Sequence, residues 1–354
     1  MKPFEKNYKR IVIKIGSSLL YSDKKVFDEL ILRAIVEQIT LLVRDKLEVV
    51  LVSSGAIATG MSVLAADTRP HELASLQALA AVGQHFLMSQ YSNAFHKENL
   101  ECGQILLTWE DFDSRQRYLN AKNTIFRLLQ LGIVPIINEN DTVSTDEIKF
   151  GDNDRLSALV STMIAADVLV ILSDVDGLMD RDKKVIPVID NITPEIKSLA
   201  CPTQKKTCVG GMITKIEAAR IAVDSGIPVV IANGRTKEII LSVIKEPQRN
   251  GTMFLPKKNL AAKERWIAFG TKPKGKICVD DGAKNALMHN KSLLAVGVIG
   301  IEGNFEAQDV VSLTDKQGTE FARGKGCISS RQLEKVKGSH NHKEIIHCDN
   351  IVIL

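Results

Sequence analysis

No run of about 18 apolar residues occurs in this 354-residue sequence, so no membrane-spanning helix is expected. The first ten residues, MKPFEKNYKR, lack the apolar core of a secretory signal, and a cytoplasmic location is the expectation. The six cysteines (Cys102, Cys201, Cys208, Cys278, Cys327 and Cys348) form no CxxC pair and read as reduced thiols. The formal net charge is only +4, too weak for a surface built to hold nucleic acid or an anionic membrane. The phosphate-binding pattern GxxxxGK[ST] is absent. So is GxGxxG, because Gly55 and Gly60 in SSGAIATG are five apart, which leaves a nicotinamide cofactor without support. Internal repeats and low-complexity tracts are missing as well.

What is present divides into two textures. The length suggests two domains, and the hydrophobic share of 45% is ordinary for a globular protein. Over the first 250 or so residues, strand and helix signals alternate, which predicts an α/β fold of parallel βαβ units. Arg10–Ile15 is a β-branched strand ending in Gly16-Ser17-Ser18. The helical period from Val26 to Val43 puts Leu30, Ala34, Ile35 and Ile39 on one face. Further strands are predicted at Val49–Val52, Val168–Leu172 and Val229–Ile231, each running into small polar residues. From about Gly275 onward, short strands and frequent glycines predict a small β-rich domain. The boundaries expected are 1–257, a linker at 258–274 around Pro256, Lys257 and Lys258, and 275–354.

The densest polar chemistry lies between Gly132 and Leu159, in GIVPIINENDTVSTDEIKFGDNDRLSAL. An apolar run (Ile133, Val134, Ile136, Ile137) delivers Asn138, Glu139, Asn140 and Asp141. A second cluster follows: Lys149, Gly151, Asp152, Asn153 and Asp154. Polar groups at the carboxyl end of a buried strand sit where open α/β sheets bind ligands. Nucleophilic Cys, a Ser–His pair and a His cluster are all missing nearby, so this selection suits holding a charged small molecule.

Two other places carry unusual chemistry. Lys14 lies inside an apolar strand, where an unpaired ammonium is costly. It reads either as a cation beside Gly16 and Ser17, whose backbone N–H groups can approach phosphate, or as an edge lysine reaching water. Gly210-Gly211-Met212-Ile213-Thr214-Lys215 opens a helical pattern from Ile216 to Val223. It reads either as an anion site at a helix start or as a loop glycine pair with Thr214 as the cap. His340, His342, His347 and Cys348 fit no zinc spacing, and no metal site is assigned. Two lysines and several carboxylates at strand ends fit phosphoryl transfer, which needs positioning and neutralised charge more than covalent help.

Six segments (IVIKIGSS, VSSGAIATG, LAAVGQ at Leu79–Gln84, PIINEND, KFGDNDRLSAL and GGMITK) occur in the order found in the amino acid kinase family. The first 250 or so residues resemble that family, most closely its glutamate-phosphorylating members. The remainder resembles a PUA domain at Val279–Ala286, Ser292–Leu294 and Gly300–Val311. The resemblance implies a three-layer α/β/α sandwich of the amino acid kinase type followed by a small PUA-like domain. The reaction it implies is phosphorylation of the γ-carboxylate of L-glutamate by ATP with Mg²⁺, the first step of proline synthesis. It assigns Lys14 and Lys215 to the phosphoryl group, Asp154 to orienting both, and Lys149 to added positive charge. Ser54, Asp141 and Asn153 would hold glutamate. Ser173, Asp174, Val209, Gly210, Gly211, Met212, Ile213, Thr214 and Lys215 would line the ATP site together with Lys14. Mg²⁺ would be held mainly by the phosphates, with Asp152 near it. Proline as feedback inhibitor, a homo-oligomer and transient contact with the reductase that uses γ-glutamyl phosphate are further implications. Cys208-Val209 departs from the family's Gly-Thr, and Ser173 from its usual Thr.

Two rival readings stay open on the sequence. A related carboxylate kinase would act on acetylglutamate or aspartate. Asp141 discriminates, since a free ammonium wants a carboxylate partner and an acetylated nitrogen does not. An RNA-binding protein is the other reading, through the PUA-like part. From Thr271 to Leu354, however, twelve Lys and Arg face ten Asp and Glu, which argues against a phosphate-binding face.

Overall fold

The β1 strand (Arg10–Ile15) lies inside an eight-stranded sheet because its residues are apolar toward both faces. A computed structural model describes residues 8–21, 27–143, 153–200, 211–257, 262–271, 273–340 and 344–354. The other strands of this sheet are β2 (Glu48–Ser53), β3 (Cys102–Leu107), β4 (Val134–Glu139), β5 (Val168–Ser173), β6 (Val188–Ile189), β7 (Val229–Asn233) and β8 (Thr252–Phe254). Their order is β3-β4-β2-β1-β5-β7-β8-β6. The six strands from β3 to β7 run parallel, while β8 pairs antiparallel with β7 and parallel with β6. The chain moves from β1 to β2 on one side and later crosses to β5 on the other. The ends of β1, β2 and β5 therefore form a switch point.

Helices cover both faces. The α1 turn is Ser17–Leu20, followed by α2 (Glu29–Arg44), α3 (Ala56–Val63) and α4 (Leu73–Lys97). Then come α5 (Trp109–Asp113), α6 (Arg115–Gln130), α7 (Asn153–Ile164), α8 (Pro194–Leu199), α9 (Met212–Asp224) and α10 (Ile239–Lys245). Side chains alternate across a strand, and β1 shows the consequence. Ile11, Ile13 and Ile15 pack with α2, α4 and α10 residues such as Ile35, Leu87 and Ile240. Val12 packs on the opposite face with Leu159 of α7 and Ala219 of α9. This is a three-layer α/β/α sandwich, and the period of two puts Lys14 on the same face as Val12, under α7 and α9.

The amphipathic face expected for α2 needs correction. Leu30 is 77% exposed and Ala34 is exposed too, while Leu32, Ile35, Val36 and Ile39 are buried. The apolar set that meets the sheet follows the i, i+3, i+4, i+7 rule from Leu32, and Leu30 lies on the opposite side of the helix. Beyond the strands that the sequence pattern marks, the described residues add short or weakly patterned ones to the sheet. The short β6 and β8 and the half-buried β3 are too weakly patterned to stand out in sequence.

The chain divides into two units, 1–259 and 260–354. The second has a five-stranded sheet ordered β11-β9-β12-β13-β15 and a two-stranded one, β10-β14. Its strands are β9 (Gly275–Val279), β10 (Leu293–Leu294), β11 (Val298–Gly303), β12 (Val310–Thr314), β13 (Glu320–Lys325), β14 (Glu344–Ile346) and β15 (Ile351–Ile353). A separate apolar core joins Ile277, Val279, Leu293, Phe305, Leu313 and Leu333. Ile267 and Ala268 are buried against Val310 and Val352, so this part of the stretch expected to be a linker is structured with the second unit. At its far end, His347 Nδ1 accepts a hydrogen bond from the Asp349 backbone N–H and caps a short turn. Among the described residues, no helix is long and apolar enough to cross a membrane.

Candidate active site

The carboxyl ends of β1, β2, β4 and β5 converge with the starts of α7 and α9, and the polar residues gather there. Lys14 leaves β1 on the face covered by α7 and α9. Its Nζ lies 2.5 Å from Asp154 Oδ1, in the first turn of α7. Lys215, in the first turn of α9, places its Nζ 3.3 Å from the other oxygen, Asp154 Oδ2. Thr214 Oγ1 donates to Asp154 Oδ2 as well, at 3.0 Å. Lys14, Asp154 and Lys215 are 6%, 3% and 7% exposed. Burial works to raise the Asp154 carboxyl, but the two ammonium groups and the Thr214 hydroxyl prevail and hold it below the ordinary carboxylate range. Two buried cations share this one buried anion.

Several local expectations change. The Gly16 N–H is spent on Leu172 O at 3.1 Å, and the Ser54 N–H on Ile15 O at 3.2 Å. Neither is free for phosphate, because the turns they begin are stitched to neighbouring strands. Gly16 does give close approach: a Cβ there would lie 3.2 Å from Leu172 O and 3.8 Å from Lys14 Nζ. Gly55 has φ +114°, a left-handed conformation that glycine adopts without strain, and it turns the chain from β2 into α3. Thr214 does not cap α9 with its side chain. Its hydroxyl lies within hydrogen-bond distance of Asp154 Oδ2 and Gly211 O instead, and Gly211 at the N-cap has no side chain to cap the helix. Among the described residues no side chain caps the first-turn N–H groups of α9, behind Gly211, Met212 and Ile213, which are suited to an anion. Ser173 Oγ donates to Asp174 Oδ1 at 3.0 Å. Burial raises the Asp174 carboxyl, but hydrogen bonds from Ser173 and Ser18 and the charge of Lys215 bring it below its usual value. Beside these strand ends, a cavity of about 280 Å³ is lined by Asp176, Asn233, Thr236 and Gly251, among others.

A second polar network stands at the end of β2 and β4. Asn153 Nδ2 lies within hydrogen-bond distance of Ser54 Oγ (2.9 Å), Asn138 Oδ1 (2.8 Å) and Ser53 O (3.2 Å). Asn138 Nδ2 donates to Gln84 Oε1 at 2.7 Å, and the Ser53 hydroxyl meets the Tyr91 hydroxyl at 2.9 Å. Asn138 and Gln84 lie inside recognisable segments that assign them no role, and nothing in the sequence marks Tyr91. No local pattern in sequence could have joined residues 54 positions apart. Asp141 feels burial first and then the charge of Glu139, which together push its carboxyl up to about 7 against the opposing charge of Arg69. Lys149, Asp152, Val209 and Gly210 lie outside the described residues.

Two glycines in the recognisable segments serve packing. A Cβ on Gly60 would fall 1.9 Å from Leu79 O, and one on Gly83 would fall 1.8 Å from Ala56 O. The backbones of α3 and α4 touch there, which explains glycine in VSSGAIATG and in LAAVGQ without any ligand.

Comparison with known proteins gives matches over both units. The family model described as "Amino acid kinase family" matches residues 9–233, and the PUA domain model matches 275–348. The chain is 42% identical to the glutamate 5-kinase of Thermoanaerobacter sp. (strain X514), over 98% of each chain. It is 43% identical to that of Caldanaerobacter subterraneus subsp. tengcongensis, again over 98% of both. With the glutamate 5-kinase of Methylococcus capsulatus it shares 42% identity over 98% of this chain and 97% of the relative.

Proposed function

The chain belongs to the amino acid kinase family, with a PUA domain following the kinase unit, and on that premise we propose how its residues phosphorylate the γ-carboxylate of L-glutamate with ATP. The product, γ-glutamyl phosphate, is that of the first step of proline biosynthesis. One observation carries the mechanism: Asp154 bonds Lys14 through one oxygen and Lys215 through the other.

The acceptor needs no base. A glutamate side-chain carboxyl titrates near 4.3 and is already ionised at neutral pH. One of its oxygens attacks the γ-phosphorus of ATP, the bond from that phosphorus to the bridging oxygen breaks, and ADP leaves with the electron pair. No proton moves. The obstacle is charge, since a carboxylate must approach a polyanionic triphosphate. Lys14 and Lys215 supply positive charge where the phosphoryl group passes, and Asp154 keeps both ammonium groups in place between turnovers. A charge already positioned needs no reorganisation when the transition state forms. The uncapped start of α9 adds oriented N–H groups toward the phosphates. Mg²⁺ enters as part of the ATP complex, held mostly by phosphate oxygens, as this ion prefers. Asp154 is committed to two lysines, so among the described residues Asp174, kept ionised, is the acidic group on this side suited to that complex.

Glutamate lies on the other side. Ser54 and Asn153 are already joined at 2.9 Å. Asp141 supplies the carboxylate for the α-ammonium, as an amino acid with a free nitrogen requires. Proline shares the α-carboxylate and charged nitrogen but has no γ-carboxylate, so it competes for the same groups. A cytoplasmic location, a homo-oligomer and hand-over of the labile acyl phosphate to a reductase complete the proposal.

The test is ATP-dependent acyl phosphate trapping with hydroxylamine on glutamate, N-acetylglutamate, aspartate and carbamate. Turnover of glutamate is expected. Turnover of another acceptor with glutamate inert would end this reading.

A further inference from the structure

Three side-chain amides stand in line at the end of β4, and two of them face a backbone group that cannot turn around. The Glu139 backbone N–H donates to Asn138 Oδ1 at 2.9 Å. A backbone N–H is only ever a donor, so the atom of Asn138 facing it must be oxygen. The other end of Asn138 is then its Nδ2, which meets Gln84 Oε1 at 2.7 Å. The group of Asn153 facing Asn138 Oδ1, at 2.8 Å, must be its nitrogen, and the Ser53 carbonyl at 3.2 Å requires the same. What remains of Asn153 is Oδ1, buried and, among the described residues, without a hydrogen-bond partner, on a residue 7% exposed. A buried acceptor left open is costly unless something fills it.

Resting on the function proposed above, we propose that Gln84 is a positioning residue for substrate selection: by accepting from Asn138 Nδ2 it joins the Glu139 N–H in holding Asn138, and through it Asn153, with the Asn153 carbonyl oxygen toward the amino acid nitrogen. Asn153 is then an acceptor for an N–H of the substrate, not a donor to its carboxylates. A free ammonium has protons for both Asn153 Oδ1 and the Asp141 carboxylate. An acylated nitrogen has one N–H and no charge, so it leaves one of the two acceptors unpaired, and a site with unpaired buried polar groups rejects such a ligand strongly. Gln84 touches no reacting atom. It sits on α4 beside Gly83, where α4 and α3 are in backbone contact, so its amide is held on a rigid element.

The experiment compares Gln84→Leu, which removes the acceptor, with Gln84→Glu, which keeps an oxygen facing Asn138 Nδ2. Gln84→Leu is expected to raise the KM for glutamate by about tenfold, with kcat and the KM for ATP within about twofold. It is also expected to narrow the preference for glutamate over N-acetylglutamate. Gln84→Glu is expected to restore most of the KM. A general weakening of the fold would instead lower kcat and raise both KM values together in both variants, and that result would overturn the proposal. A readout independent of turnover is hydrogen exchange of the Asn153 side-chain amide by NMR in the ligand-free protein. Slow exchange in the wild type that becomes fast in Gln84→Leu supports the relay whatever the acceptor. Fast exchange in the wild type, or no change on substitution, refutes it. Wild-type protein inert toward glutamate but with the slow, Gln84-dependent exchange would refute the proposed reaction and leave the relay standing.

Discussion

Lys14, from the end of β1, and Asp154, from the first turn of α7, form a contact of 2.5 Å although both are more than nine-tenths buried. They are 140 positions apart in the chain, and the sheet crossover from β4 to β5 is what brings α7 over β1. The pair explains why a lysine is tolerated in an apolar strand. Its charge is neutralised at rest, and Lys215 on the second oxygen supplies the surplus that a phosphoryl group can use.

Lys14→Ala and Lys215→Ala should each lower kcat far more than they raise the KM for glutamate. An interaction made mainly in the transition state acts on kcat. A preorganised charge of this kind is typically worth about 10²–10³ in rate. Steady-state kinetics of both variants decide the matter, and near-normal kcat in both would remove the lysines from the phosphoryl site.

Asp154→Asn should destabilise the kinase unit, because it leaves two ammonium groups buried without their anion. Breaking a buried ion pair from one side costs about 3–5 kcal/mol. Adding Lys14→Met to the same protein should recover part of the loss. The Asp154 carboxyl is held below its ordinary value in the fold. Its stabilisation is therefore present above the unfolded value of about 3.9 and is lost as pH falls below it. Urea unfolding at pH 7 of the single and double variants tests the claim, and a single variant as stable as wild type would contradict it.

Asp141 makes glutamate binding depend on pH near neutrality. Its carboxyl is pushed up to about 7 by burial and by Glu139. A neutral Asp141 cannot pair with the α-ammonium, so the KM for glutamate should fall as pH rises from 6 to 8. Asp141→Asn should abolish that slope, raise the KM by about tenfold or more at pH 8, and weaken proline inhibition in parallel. For the fold the sign is opposite. A raised carboxyl favours the folded state while protonated and loses that contribution as pH rises toward 7. Asp141→Asn should therefore melt higher than wild type at pH 8 in the absence of ligand. Loss of ATP affinity with the glutamate KM intact would place Asp141 on the wrong side of the site.

Gly83→Ala should be disproportionately harmful for the addition of one methyl group. The new Cβ would meet the Ala56 carbonyl and the Gly60 backbone, neither of which can rotate away. Overpacking typically costs about 1–3 kcal/mol, and α3 must shift with it. Because Ser54 and Gly55 lead directly into α3, the glutamate KM should rise together with the loss in melting temperature. A variant with wild-type stability would show that the two helices separate freely.

A chain ending at Lys257 should fold and retain kinase activity. The Lys257 backbone N–H bonds Val223 O at 3.0 Å and its Nζ pairs with Asp224, which ties the end of the first unit down, and among the described residues its two cores contain none beyond 255. Circular dichroism and the hydroxamate assay on the truncated protein are the measurements. A folded product without activity would make the PUA domain necessary for catalysis.

Local sequence was enough to establish the parallel α/β architecture and the β-rich second domain. Strand period, β-branched runs and the small polar residues that end each strand are all short-range signals, and six ordered segments narrowed them to one family. Sequence also marked Lys14 as abnormal, because an isolated ammonium in RIVIKI is unfavourable wherever the strand lies. Local pattern could not say which carboxylate relieved it; the family resemblance named Asp154, and the tertiary structure shows that carboxylate in contact with both Lys14 and Lys215. Tertiary structure alone ran Gln84, Asn138 and Asn153 into one directed chain. It reassigned Gly60 and Gly83 to helix contact and turned the α2 face from Leu30 to Leu32. These depend on crossovers and on the register of helices over the sheet. The physical reason is that such contacts link residues far apart in sequence, and no spacing along the chain records which of many apolar faces will meet.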